Sequence, residues 1–425
     1  MRSLVLIVAA ALSLSLVAPV GVGAVGAPTG PVDPAPVDAA DGIVTPLGPA
    51  QQDGLNGSAV NETNVLVIPE GAVQRSGVDR ATLNLGPAAE FNGNLTAVEV
   101  ETAAVVEHVL AAEDDSERSR RIIQASSTVE TEIITLRDRQ QAAIEAYSSG
   151  RIDAETFVIE LATVAARADA LEQRIVRLTE LADDVDGFSL SRPAEIRYEL
   201  RTFGGPVRDR AVDAIRGTEN ATQFFVTTGT DGYELATIYD GSYHREAFRG
   251  AVRSGDSTAT LSPTEAINVT RESYPELFRL GDSSATTSGS TNIVRVTAPG
   301  RSLTAFVDSG TGRVFKEYQR FGLAQYRSPS AASNTINGIT VSVNRTYPGG
   351  PLRIHVENAN SGEPIDLAVT LSQGQSERTT VGRTGDDGTL WTVSPRGSYT
   401  VLAVGDETTA AYLETSSTDA PSIDD

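Results

Sequence analysis

Residues 116–185 read SERSRRIIQASSTVETEIITLRDRQQAAIEAYSSGRIDAETFVIELATVAARADALEQRIVRLTELADDV. Ile122, Ser126, Val129, Ile133, Leu136, Gln140, Ala143 and Tyr147 follow alternating spacings of four and three. Phe157, Leu161, Val164, Ala168, Leu171, Ile175, Leu178, Ala182 and Val185 repeat the pattern. Such a seam places one side of each helix against a partner. Gly150 can adopt the left-handed conformation that ends the first helix, and Asp153 can cap the second. So short a turn makes the helices antiparallel neighbours, each about 45–50 Å long. The pair is expected to be a rod, spacing an N-terminal strand region from C-terminal modules. Ser126 and Gln140 interrupt the apolar row, where a polar seam residue sets register at a cost in stability.

Outward from this hairpin, the sequence predicts a multi-domain α+β chain. Residues 1–24 read as a signal peptide. Arg2 precedes the apolar run Leu4–Val17, followed by small residues up to Ala24. An uncleaved anchor is the alternative, because Leu4–Val25 is long enough to span a membrane. Either form places the protein outside the cell or at its surface, with no later membrane span. Residues 25–62 are a Pro-, Gly-, Ala- and Asp-rich linker. Residues 63–190 hold the hairpin with short strands at Asn64–Ile68 and Ala81–Leu85 and a helical pattern over Thr96–Ala112, either a separate helix or the bent start of the first hairpin helix, with Ser116 as a fresh cap. Over 191–325 an α+β domain is expected. Its parts are a strand at Glu195–Thr202, a helix framed by Pro206 and Gly217, and a hairpin of Gln223–Thr227 with Tyr233–Ile238. Residues 326–334 read as a linker, 335–415 as an antiparallel sandwich of seven short strands, and 416–425 as a disordered acidic tail.

Three resemblances carry implications. Ser262-Pro263-Thr264-Glu265 opens a helix, three strands follow, and Val307–Val314 reads Val-Asp-x-x-Thr-Gly-x-Val, so residues 261–320 resemble the PepSY module. That likeness implies inhibitor-like, propeptide-like or ligand-sensing roles and no catalytic residues. The turns Gly362–Ile365, Thr384–Gly388 and Pro395–Tyr399 make the sandwich look like the prealbumin or carboxypeptidase-regulatory type. Taken whole, the chain resembles secreted proteins of halophilic archaea with no assigned function.

Charge and composition exclude more than they assign. The 56 acidic residues outweigh 34 basic ones, only one of which, Lys316, is a lysine. A net charge of −22 repels nucleic acid, so the expected partner is a protein. High acidity with almost no lysine resembles the proteome of salt-loving archaea, where concentrated salt screens self-repulsion. There is no cysteine, so disulfides, thiolate metal sites and thiol nucleophiles are excluded. His108, His244 and His355 are isolated, and no H-E-x-x-H, G-x-S-x-G or phosphate loop occurs. No catalytic, cofactor or metal residues are therefore assigned. Asp386 and Asp387 offer a calcium alternative to a plain polar turn. Asn56, Asn61, Asn94, Asn220, Asn268 and Asn344 head Asn-x-Ser/Thr sequons, candidate glycosylation sites on an exported chain. The expected function is a secreted or envelope-associated, non-enzymatic interaction protein. The alternative is an inhibitor-like or chaperone-like regulator of an exported protease.

Overall fold

The computed structural model describes residues 63–254, 258–328, 330–373, 378–405 and 410–424. The signal and linker readings, with Asn56 and Asn61, lie outside the described residues. Among the described residues the first strand is β1 (Arg75–Ala81), followed by α1 (Leu85–Leu110), α2 (Asp115–Ser148) and α3 (Ala154–Asp183). All seventeen seam residues are buried. Gly150 takes φ 76°, and the Asp153 side chain accepts from the Thr156 N–H at 2.8 Å, so the turn forms as its chemistry dictates. Gln140 keeps its Oε1 buried without a hydrogen bond, which costs about 1–3 kcal/mol.

The hairpin is not a free-standing spacer. Tyr147, Phe157 and Leu161 pack in one cluster with Phe224, Val226, Tyr233 and Leu235 from a sheet. Farther along, Val164, Leu171 and Ile175 meet Leu200 and Phe203. Nor does it separate the two ends of the described chain: Val65 pairs in parallel with Ser422.

The first half departs from expectation in four places. Asn64–Ile68 forms no strand beyond the single Val65 bridge, and Ala81 ends β1 rather than starting a strand. β1 went unread because Arg75-Ser-Gly-Val-Asp-Arg-Ala81 has a single large apolar residue, as an edge strand can. α1 starts at Leu85 rather than Thr96, with Pro87 in its first turn, and the cap of α2 is Asp114 rather than Ser116; of the two readings left open, α1 is the separate helix. Glu195–Thr202 lies in helix α4 (Pro193–Arg201), where Ile196 and Leu200, four apart, turn one face inward.

Beyond α5 (Pro206–Arg216), β2 (Thr222–Thr228) and β3 (Gly232–Tyr239) form the expected hairpin. A further strand, β4 (Ser242–Arg249), follows a two-residue turn in which Asp240 and Gly241 take φ 48° and 65°. The capping box at Ser262 is complete and opens α6 (Pro263–Ser273). Then come α7 (Pro275–Leu280), β5 (Asp282–Ser288), β6 (Thr291–Ala298), β7 (Arg301–Asp308) and β8 (Arg313–Gly322). The segment likened to PepSY thus has two helices and four strands, not one and three. Its strands join the earlier ones in a single antiparallel sheet, ordered β1-β2-β3-β4-β8-β7-β6-β5. Helices α2–α5 cover one face. The other face meets α6 and α7 at one end, where Tyr274 and Leu277 pack on Val294 and Leu303.

The C-terminal sandwich has eight strands: β9 (Ser330–Ile336), β10 (Ile339–Arg345), β11 (Pro351–Asn358), β12 (Ala368–Ser372), β13 (Thr379–Arg383), β14 (Thr389–Val393), β15 (Ser398–Val404) and β16 (Ala410–Ser416). They pair as β14-β11-β10-β9 and β13-β12-β15-β16 around a core of Val341, Ile354, Val369 and Val401. β9 replaces the expected linker, joined to β10 through Asn337-Gly338 at φ 53° and 76°. The acidic tail is docked, not loose: Asp424 pairs with Arg249 and with Arg313. Among the described residues, no helix is long and apolar enough to cross a membrane.

Candidate functional site

Antiparallel register puts Tyr233, Glu246, Lys316 and Tyr318 on the helix-covered face of the sheet. The turn between α4 and α5 descends onto them. Arg208, in the first turn of α5, is fully buried and meets the equally buried Glu246. Its Nη2 donates to Oε2 at 2.8 Å and its Nε to Oε1 at 3.4 Å. Its Nη1 donates to the carbonyls of Phe203 at 2.8 Å and Leu161 at 3.3 Å, and Nη2 also donates to the Tyr233 hydroxyl. Every guanidinium nitrogen is thereby used, which the burial of a charge demands.

Lys316 has no solvent exposure. Its ammonium donates to the Gly204 carbonyl at 2.8 Å, to the Thr202 carbonyl and to the Tyr233 hydroxyl at 3.3 Å. Burial, then the neighbouring Arg208 cation, pushes its pKa well below the usual lysine range. Tyr318 closes the cluster by donating to the Gly204 carbonyl.

Over this cluster lies a groove of about 390 Å³. Ile293, Phe306 and Tyr318 line its sheet side, and Ala165, Asp169 and Glu172 its α3 side. A second cavity of about 350 Å³ shares Ala165, Asp169, Gly204 and Asp209 and runs on to Phe91. The two make one channel with a small-residue middle and aromatic ends. Glu172 is held by Arg201 at 2.7 Å and Arg197 at 3.4 Å. Asp169, Asp209 and Arg295 are exposed along the rim.

Nearby, Glu199 is clamped by Arg253, at 2.9 and 2.8 Å, and by Arg137 at 2.9 Å. Burial opposes its ionisation, but the two guanidiniums outweigh burial and hold its pKa down to about 2.

The residues singled out in the sequence do not converge here. His108 is exposed on α1. His244 is buried and stacked on Tyr239, with ring centroids 4.0 Å apart, and burial pushes its pKa down to about 4. His355 contacts Thr389 at 3.1 Å on the sandwich. Asp387 accepts from the Thr389 N–H at 3.0 Å in a turn that uses Gly385 and Gly388 at positive φ. Among the described residues, no three His, Asp or Glu side chains are grouped to hold a metal ion. Asn94, Asn220 and Asn268 are exposed, and Asn344 is half-buried on β10. Sequence reasoning missed Arg208, Glu246 and Glu199, since one Arg or Glu among so many carries no local mark. Lys316 did have a signal: it is the single lysine of the chain.

Three family models match. The model described as Domain of unknown function (DUF7096) covers residues 1–220, and Family of unknown function (DUF7094) covers 224–327. An archaeal fibronectin-III type-like domain covers 330–411, in place of the prealbumin or carboxypeptidase-regulatory likeness. The DUF7094 match spans the segment likened to PepSY. No curated protein and no solved structure matches.

Proposed function

We propose that this chain, which belongs to the DUF7096 family, is a secreted or envelope-associated, non-enzymatic interaction protein of a halophilic archaeon. It engages a protein partner through the channel over the Arg208–Glu246–Lys316 cluster. The single observation that carries this reading is the saturation of the buried charges. Arg208, Glu246 and Lys316 all bond to one another or to backbone carbonyls. None of the three is exposed and none lines the groove, so the channel presents shape, aromatic ends and a rim of mixed charge rather than a nucleophile or base within reach of a ligand. Export is supported by the Arg2–Ala24 pattern, and halophily by the −22 charge with one lysine.

The test is to purify tagged protein from its native medium and identify what stays bound. A double charge reversal at the exposed rim, Asp209→Arg with Arg295→Glu, should release the partner while leaving the melting temperature within a degree or two, as exposed substitutions do. A partner retained by that variant contradicts the channel as the binding surface. Reproducible hydrolase turnover, abolished by one carboxylate substitution in the channel, replaces the reading with an enzyme. The regulator reading draws on the helix-then-meander order of residues 261–320; a bound protease would favour it.

A further inference from the structure

A third cavity, of about 410 Å³, lies between the connector Leu323–Ser328 and the outer face of the sandwich. Register places Asn344, Arg353 and Trp391 side by side across β10, β11 and β14. All three line the cavity with Tyr326, Arg327 and Asp387. Trp391 is the one tryptophan of the chain and is half-buried. Tyr326 meets it edge to face, with centroids 6.1 Å apart at 76°. The guanidiniums are oriented: Arg353 Nη2 donates to Thr389 Oγ1 at 3.3 Å, and Arg327 Nη1 to the carbonyls of Ala324 at 3.0 Å and Tyr326 at 2.8 Å.

We propose that this cavity binds a saccharide bearing a uronic acid. The indole face, braced edge to face by the buried Tyr326, gives the apolar face of a sugar ring a flat surface to cover. Planar Asn, Asp and Arg groups match its hydroxyls. Two guanidiniums against one carboxylate make this a cationic cavity on a protein of net charge −22, and a guanidinium pairs bidentately with a carboxylate. Its volume falls within the roughly 300–1,000 Å³ of small-molecule sites. The sugar has one of two sources: a glycan of another molecule, or one carried on Asn344, which heads a sequon and lines the cavity itself.

Trp391 is a built-in reporter. Full-length protein made without glycosylation is titrated with a galacturonate trisaccharide while tryptophan emission is followed, with a neutral galactose trisaccharide alongside. The expected result is a saturable change, at least about tenfold weaker for the neutral sugar and for Arg353→Ala, as loss of a charge-assisted pair implies. No change up to about 10 mM, where even a millimolar site is filled, overturns the proposal. So does an affinity that Arg353→Ala leaves unaltered while its melting temperature matches the parent. Intact mass of natively produced protein then separates the sources. A sugar mass lost in Asn344→Gln, on protein that no longer responds to added trisaccharide, assigns the chain's own glycan. An unmodified Asn344 with binding retained assigns another molecule.

Discussion

Replacing Gly205 by alanine is expected to destabilise the protein by about 3–5 kcal/mol, the range for breaking a buried ion pair. Gly205 has φ 172°, an extended conformation open to any residue, so backbone strain is not the cause. The cause is space. An ideal Cβ there falls 2.7 Å from Oε1 of Glu246 and nearer still to its Oε2. Glu246 has to leave its place, and Arg208 then keeps only the Leu161 and Phe203 carbonyls and the Tyr233 hydroxyl around a fully buried charge. Urea unfolding of Gly205→Ala measures the loss. A double-mutant cycle identifies the mechanism, because the same substitution made in Glu246→Ala should lose most of its additional effect. A loss below about 1 kcal/mol for the single variant would show that the turn shifts aside and that the pair does not depend on the missing Cβ.

The second large effect lies on the opposite face of the sheet. Arg245 sits between two buried carboxylates: its Nη2 reaches Glu234 at 3.1 Å and its Nη1 pairs with Glu317. Nη2 also donates to the Leu66 carbonyl at 2.6 Å, tying the segment before β1 across the sheet. Glu317 further accepts from Tyr274 at 2.5 Å and Gln319 at 3.1 Å, and Glu234 from the Ile68 N–H at 2.6 Å. Arg245→Met leaves two carboxylates facing each other without a cation, again at a loss of about 3–5 kcal/mol near neutral pH. Its pH dependence has a definite sign. Burial already pushes the Glu317 pKa up despite Arg245, and removing the cation pushes it further. A carboxyl with a folded-state pKa above its unfolded value favours folding when protonated. That contribution is present below the unfolded pKa, near 4.3, and is lost as pH rises through the folded one. Relative to the parent, Arg245→Met is expected to be least impaired near pH 4 and most impaired at pH 7 and above. Thermal unfolding across pH checks this, and a deficit independent of pH would contradict it.

How much of this was legible beforehand depended on the range of the interaction. The α2–α3 seam, the Gly150–Asp153 turn, the Ser262 capping box and most sandwich strands are written in neighbouring residues and appeared as read. The strand β1 and the short helix α4 were misread because edge position and tertiary burial, not local pattern, decide them. β9 was legible in principle: Asn337-Gly338 between two alternating stretches is a strong hairpin signal. The charge clusters were not. Arg208 and Glu246 are 38 residues apart and Arg245 and Glu317 are 72 apart, so the seating of α5 on the sheet brings the first pair together and the β4–β8 register the second.

The helical layer packs onto the sheet over Lys316, and the reactivity of that amine tests this packing. Native protein treated with an amine-reactive ester, then mapped by mass spectrometry, should show no label at Lys316, while protein unfolded in guanidinium before treatment should be labelled there fully. Rapid labelling of Lys316 in the native protein would mean that the turn between α4 and α5 does not cover β8, and that the hairpin stands away from the sheet.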